Sequence, residues 1–193
     1  MKTALLCLLL GFTIKTSSAS NSDKHVTRFL DSDVRPDAVV IEPSSSVVSE
    51  NKTEIRFEGV LGSIEGDRLS SFVGFTGIQI PAAYFQKSPT DPKNISFDLN
   101  FVRSDMDQNV LTVQLVDAKD EVYSIDLDLN KMKFVVGLSQ FKKSVRGSQM
   151  GQSYAGSDVK QVRIFFRRSK NAPDSSQSIQ YEFTVAKKSL TFF

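Results

Sequence analysis

From Glu54 onward the chain alternates apolar and polar residues with a period of two. Ile55 and Phe57 alternate with Glu54, Arg56 and Glu58; Ile95, Phe97, Leu99 and Phe101 alternate with Ser96, Asp98 and Asn100. The same beat returns at Leu111, Val113 and Leu115, at Tyr123, Ile125, Leu127 and Leu129, at Val162, Ile164 and Phe166, and at Ile179, Tyr181, Phe183 and Val185. Such runs bury one face and wet the other, as antiparallel sandwich strands do. Ser71 to Ile80 forms a less regular run whose Gly74 and Gly77 suggest a bulge. Turn-forming stretches separate the runs, at Pro89 to Pro92, Asp105 to Asn109, Lys119-Asp120 and Asn171 to Asp174. No helix of three turns is expected, only a short turn within Ser139 to Ser144. Eight or nine strands at this spacing predict one all-β, antiparallel jelly-roll sandwich over residues 50–190.

The N-terminus follows a different pattern. Lys2 precedes an uncharged stretch, Thr3 to Ile14, that contains Ala4-Leu5-Leu6-Cys7-Leu8-Leu9-Leu10. Small residues follow at Ser17 and Ala19, the positions a signal peptidase reads. The expectation is a secretory signal peptide over residues 1–19, cleaved after Ala19, too short for a membrane span. Residues 20–49 are polar, with Pro36, Pro43 and Ser44-Ser45-Ser46, and read as an arm with one short strand at Ala38 to Ile41.

Cleavage changes the composition. Cys7 is the single cysteine of 193 residues, so the mature chain holds none and the core must hold the fold without a disulfide. Lys2 and Lys15 also leave, so Lys+Arg falls from 24 to 22 against 22 Asp+Glu, and the mature chain is formally neutral. Wholesale nucleic-acid binding is not expected of a neutral chain. The neutrality hides an asymmetry. Asp23 to Asn130 carries 10 Lys+Arg and 19 Asp+Glu, a net of −9, whereas Lys131 to Phe193 carries 12 and 3, a net of +9. Either the C-terminal strands build a basic face, or strands of the two halves interleave and neutralise each other; sandwich topology favours interleaving.

Candidate chemistry is sparse. His25 is the only histidine and lies in the polar arm. Thiol catalysis, a histidine-based triad and most zinc sites are thereby excluded from the mature chain. Carboxylates are plentiful enough for glycoside hydrolysis, but no two are singled out. Asp105-Met106-Asp107-Gln108-Asn109 resembles a calcium loop, yet Val110 and Val116 stand where an EF-hand needs glycine and glutamate. No phosphate-binding glycine motif occurs. No cofactor and no metal are expected. Among aromatics outside the strands, Tyr84 and Tyr154 are the candidates for stacking on a sugar, and Tyr154 shares its stretch with Arg146 and Gln152. Asn51-Lys52-Thr53 and Asn94-Ile95-Ser96 are acceptor sequons, making Asn51 and Asn94 candidate glycosylation sites.

The last third strings these pieces together: Phe134-Val135-Val136, then Leu138-Ser139-Gln140-Phe141, then Arg146-Gly147, then Val159-Lys160-Gln161-Val162-Arg163-Ile164. With Ile55-Arg56-Phe57-Glu58-Gly59 and Phe72-Val73-Gly74-Phe75, this order resembles the complex I intermediate-associated protein family over residues 53–188. The resemblance implies a galactose-binding-like jelly roll. Family members linked to complex I act as mitochondrial assembly factors, while related jelly rolls bind glycans or proteins. The family usually opens with a Trp-containing segment and a glycine turn; this chain has no Trp and no Gly between Ser32 and Val48.

The expectation is therefore a secreted, non-catalytic binding module for a glycan or protein partner, possessing no membrane span. A complex I assembly role in mitochondria and a small carbohydrate-active enzyme are the alternatives. The expected binding residues are Arg146, Gly147, Tyr154, Lys142 and Lys143. A basic loop at Arg146 to Gly156 would suit an acidic partner.

Overall fold

A computed structural model describes residues 24–30, 44–61, 75–88, 91–104, 109–128, 131–143, 151–156, 158–168 and 179–193. The expected leader at 1–19, the strand expected at 38–41, the acidic stretch at 105–108, and Arg146 and Gly147 lie outside these residues.

The strands are β1 (Thr27–Leu30), β2 (Ser45–Glu50), β3 (Glu54–Leu61), β4 (Phe75–Pro81), β5 (Gln86–Lys87), β6 (Asn94–Ser104) and β7 (Asn109–Asp117). They continue with β8 (Val122–Leu127), β9 (Lys133–Gly137), β10 (Lys142–Lys143), β11 (Val159–Arg168), β12 (Ile179–Ala186) and β13 (Thr191–Phe192). The helices among the described residues are single 3-10 turns at Ala82–Tyr84, Leu138–Gln140 and Lys187–Ser189.

These strands make two sheets. The front sheet has six strands in the order β1-β4-β11-β7-β8-β10. The back sheet has seven, β2-β3-β12-β6-β13-β5 with β9 on the other side of β6. All described pairings are antiparallel except β13 with β5. The chain passes repeatedly between layers, as β3 to β4, β6 to β7 and β11 to β12 do, and this crossing makes the sandwich a jelly roll. Residues 20–49, read from composition as an arm, contribute β1 to the front sheet and β2 to the back sheet.

The period-two residues face each other between the sheets. Ile78, Ile80, Leu111, Val113, Leu115, Val162, Ile164 and Phe166 come from the front; Ile55, Phe57, Ile95, Phe97, Phe183 and Val185 come from the back, and all are fully buried. Aromatic rings join the layers. Phe166 of the front lies flat on Tyr181 of the back, with centroids 4.3 Å apart and ring planes 5° from parallel. Within the back sheet Phe57 stacks on Phe183 at 4.8 Å, and across the layers Phe166 meets Phe183 edge-on at 5.6 Å. Each such pair adds about 0.5–1.5 kcal/mol beyond area burial.

Interleaving also resolves the charge asymmetry. Arg167 pairs with Asp126 at 2.6 Å, Lys143 with Glu121 at 2.6 Å, Lys160 with Asp120 at 3.1 Å and Lys187 with Glu50 at 2.8 Å. In each pair a cation of the basic half meets an anion of the acidic half.

Gly77 holds a tight crossing between β4 and β11. A Cβ there would run into the Ile164 carbonyl oxygen and the Phe165 Cβ, both parts of the neighbouring strand that cannot swing away. We expect Gly77→Ala to destabilise the domain by about 1–3 kcal/mol, the range typical of overpacking. Urea denaturation checks this; an unchanged midpoint would mean that β4 and β11 are not so closely apposed.

Candidate functional site

The residues that alternate with the core in the front sheet form ordered rows on its outer face. The register pairs Thr27 with Gln79, Gln79 with Arg163, Arg163 with Gln114, Gln114 with Ser124, and Ser124 with Lys142. One row of polar side chains thus crosses all six strands. At about 4.8 Å per strand it spans roughly 24 Å. The neighbouring row reads Phe29, Gly77, Phe165, Thr112 and Asp126. Opposite residues in adjacent strands are direct side-chain neighbours, which is why these rows act as units.

Hydrogen bonds fix the polar row. Gln79 Oε1 accepts from Arg163 Nε at 3.1 Å and from Gln161 Nε2, while Gln79 Nε2 donates to Thr27 Oγ1 at 3.2 Å. Arg163 Nη1 reaches Gln114 Oε1 at 3.5 Å, a weak contact. The Arg163 guanidinium also lies over the Phe29 ring, 4.5 Å from its centroid. Phe29 is stacked on Phe75 at 4.7 Å and meets Phe165 edge-on at 5.3 Å. Beside this cluster Arg167 donates from Nε to Thr112 Oγ1 at 3.0 Å and from Nη2 to Asp126 Oδ2 at 2.6 Å. Thr112 Oγ1 in turn donates to Asp126 Oδ1 at 2.7 Å. Between these groups runs an open groove of about 520 Å³, lined among others by Phe29, Phe75, Gln114, Arg163, Phe165 and Arg167.

The structure distributes the expected binding residues differently. Lys142 is exposed, ends the polar row and donates to Ser153 Oγ at 2.7 Å. Lys143, the next residue, points the other way and is 8% exposed; its Nζ donates to Glu121 Oε1 at 2.6 Å. Tyr154 corrects the expectation of a loop aromatic open to a sugar. It is 3% exposed, packs edge-on against Tyr123 at 5.0 Å and donates to Asp158 Oδ1 at 3.3 Å. Burial, with Asp158 alongside, pushes its phenol well above the usual range. Tyr84 is half-buried and donates to the Glu50 carboxylate at 3.0 Å. Of the sequons, Asn51 is exposed in a turn where its Oδ1 accepts from the Thr53 and Glu54 amides, at 2.8 and 2.9 Å. Asn94 is half-buried at the start of β6.

Periodicity marked Arg163 only as a polar position. Its setting needed the strand order, because Thr27, Gln79, Gln114 and Ser124 are far from it in sequence.

No family model matches the sequence, and no curated protein matches it. Solved structures similar to the chain include a family 11 carbohydrate-binding module from Clostridium thermocellum in complex with a β-1,3-1,4-mixed-linked tetrasaccharide. That match has 15% identity, covers 83% of this chain and 87% of that one, and has a TM-score of 0.38. A family 11 module of a cellulosomal cellulase of the same organism matches at 13% identity over 87% and 89% of the two chains, with a TM-score of 0.40. A family 28 module described as specific for non-crystalline cellulose matches at 9% identity over 76% and 80%, with a TM-score of 0.33. None of these three is named for the complex I intermediate-associated family. The jelly-roll assignment rests on the chain's own strand order.

The Lys143 pocket yields a pH dependence. Hydrogen bonds from Lys143, then from Tyr123, hold the Glu121 carboxyl below its ordinary value of 4.5. Burial and the same Glu121 push the Tyr123 phenol up to about 12. Glu50 is also lowered: burial opposes the shift, but hydrogen bonds from Lys187 and Tyr84 outweigh it. A carboxylate whose folded pKa is depressed stabilises the fold above its unfolded pKa and loses that effect as pH falls through the folded value. We therefore expect the melting temperature to fall as pH drops below about 4.5, the ordinary glutamate value. Glu121→Gln should melt lower at pH 7 and lose less on acidification. A parallel shift of both proteins in differential scanning fluorimetry would show that Glu121 contributes nothing to the acid response.

Proposed function

We propose that the protein is a non-catalytic glycan-binding module whose binding face is the outer side of the front sheet. The observation that carries this reading is the hydrogen-bonded row of hydroxyl, amide and guanidinium groups beside an apolar aromatic cluster. Sugars present hydroxyls that donate and accept, together with apolar C–H faces. Planar Gln and Arg side chains answer the first need; for the second the cluster offers the half-buried Phe75 ring, backed by Phe29 and Phe165, which are themselves buried. Because neighbours already orient these side chains, binding costs less rotamer entropy. Asp126 is the one carboxylate among the described residues lining the groove, and Arg167 and Thr112 occupy it. Glycoside hydrolysis takes a pair of carboxyls, so the groove favours binding over turnover.

The test is a glycan array followed by calorimetry on the best ligand. Gln114→Ala should weaken binding about tenfold, equivalent to about 1.4 kcal/mol, without lowering the melting temperature. Tyr154→Phe should leave affinity unchanged, because that ring is buried against Tyr123 and does not line the groove. Arg146→Ala measures what residues 144–150 add. A glycan that loses affinity in Arg146→Ala and not in Gln114→Ala would move the site to that segment.

We also propose export, with cleavage after Ala19, and kinship with the complex I intermediate-associated family over residues 53–188. Mass spectrometry of the secreted protein should find an N-terminus near Ser20. Import into mitochondria would instead favour the assembly role.

A further inference from the structure

Several cations among the described residues are paired within the fold. Arg167, Lys143, Lys160 and Lys187 each meet a carboxylate within about 3 Å, and their charge is answered inside the fold. Arg163 does not share that arrangement. Its hydrogen-bond partners are the neutral amides of Gln79 and Gln114, and its flat face lies on Phe29. Burial lowers its pKa from the ordinary value, but a guanidinium stays charged across the physiological range. Asp120, which acts on it at longer range, is itself tied to Lys160 at 3.1 Å. The far end of the same row is Lys142, whose ammonium donates to the Ser153 hydroxyl, again a neutral group. From Thr27 to Lys142 the row holds two cations and no anion.

A half-buried guanidinium with neutral partners has lost part of its hydration and gained no counter-charge. A neutral sugar laid over it would strip more water and return only neutral hydrogen bonds. An anion would return a charge-assisted pair, for which the rigid fork of an arginine is the best protein donor. Among the described residues Asp126 is the one acid lining the groove. It lies two strands and two residues away, roughly 12 Å at sheet spacings, and Arg167 neutralises it.

We infer that the groove selects an anionic sugar, with a uronate carboxylate or a sulfate ester seated against Arg163 and Lys142 as an outer contact. This rests on the glycan-binding reading of the same face and names its ligand class. Arg163 is then the specificity-determining residue, while Gln79 and Gln114 position it.

Affinity electrophoresis of the mature chain through gels holding alginate, dextran sulfate or neutral mixed-linked β-glucan tests this. The carboxylated and sulfated polymers separate the two sources of anion. At least one of them should bind at least tenfold more tightly than the glucan. Arg163→Gln, which keeps a planar amide and removes the charge, should lose that preference at least tenfold. Lys142→Gln should lose two- to threefold and flatten the salt dependence, and it keeps the test alive if Arg163→Gln fails to fold by circular dichroism. Lys188→Gln, exposed beside the back-sheet groove, should change nothing. Glucan binding as tight as both anionic polymers would overturn the inference and leave the glycan-binding reading standing. So would a folded Arg163→Gln that keeps its preference, or an equal loss in Lys188→Gln. Retention by none of the three polymers would overturn both.

Discussion

The contact on which the rest depends is the face-to-face packing of Phe166 on Tyr181, with Phe57 and Phe183 beside it. With a single cysteine, no disulfide can form within the chain, so inter-sheet burial must fix how the layers sit. Side chains in a strand alternate strictly, so a slip of one residue would turn Phe166 to water and Phe165 to the core. The aromatic seam therefore sets the register of β11, and register sets what the outside of the front sheet displays. Ile164 and Phe166 are fully buried, so Arg163 and Phe165 must lie on the outer face. The candidate site is the reverse side of the core.

The same interleaving governs the charges. Residues 23–130 carry a net −9 and residues 131–193 a net +9, and strands of the two stretches are interleaved within each sheet. Most of the resulting pairs are partly exposed, and such pairs contribute about 0–1 kcal/mol each. Their larger effect is on what remains. Once Asp126, Glu121, Asp120 and Glu50 have each taken a cation, the polar row keeps its two positive groups without an acid of its own. The overall charge says little about the candidate face, and the halves taken separately say too much.

Much of the fold was legible in the sequence, because period-two alternation is the direct imprint of a half-buried strand. The runs at Ile55, Ile95, Leu111, Val162 and Ile179 all became strands at those positions. The short strands escaped. In β1, Thr27-Arg28-Phe29-Leu30 ends in two adjacent buried residues, and in β2 Val47 and Val48 lie side by side among serines, so neither shows a clean beat. The site was less legible. Lys142 was identified, but for its loop rather than for the row it ends. Tyr154 was misplaced because a tyrosine in a Gly- and Ser-rich stretch looks exposed; Tyr123, from another strand, covers it. Arg163 and Gln114 looked like ordinary outward residues, since nothing local separates a solvated arginine from one lying on Phe29.

The proposed placing of recognition on strands rather than on a loop has a physical consequence. Arg163 sits between two antiparallel neighbours, so its Cα is fixed by ladder hydrogen bonds on both sides. Its side chain is then fixed by Gln79 and by the Phe29 ring, which is itself held by Phe75 and Phe165. A loop arginine would have to be ordered by its ligand, and ordering a long side chain costs about 0.5–1.5 kcal/mol. A guanidinium already held by the sheet avoids that cost and directs its charge one way. If the proposed face binds an anionic glycan, such a surface would discriminate by where the anion sits along the sugar chain, not merely by how much charge the polymer carries.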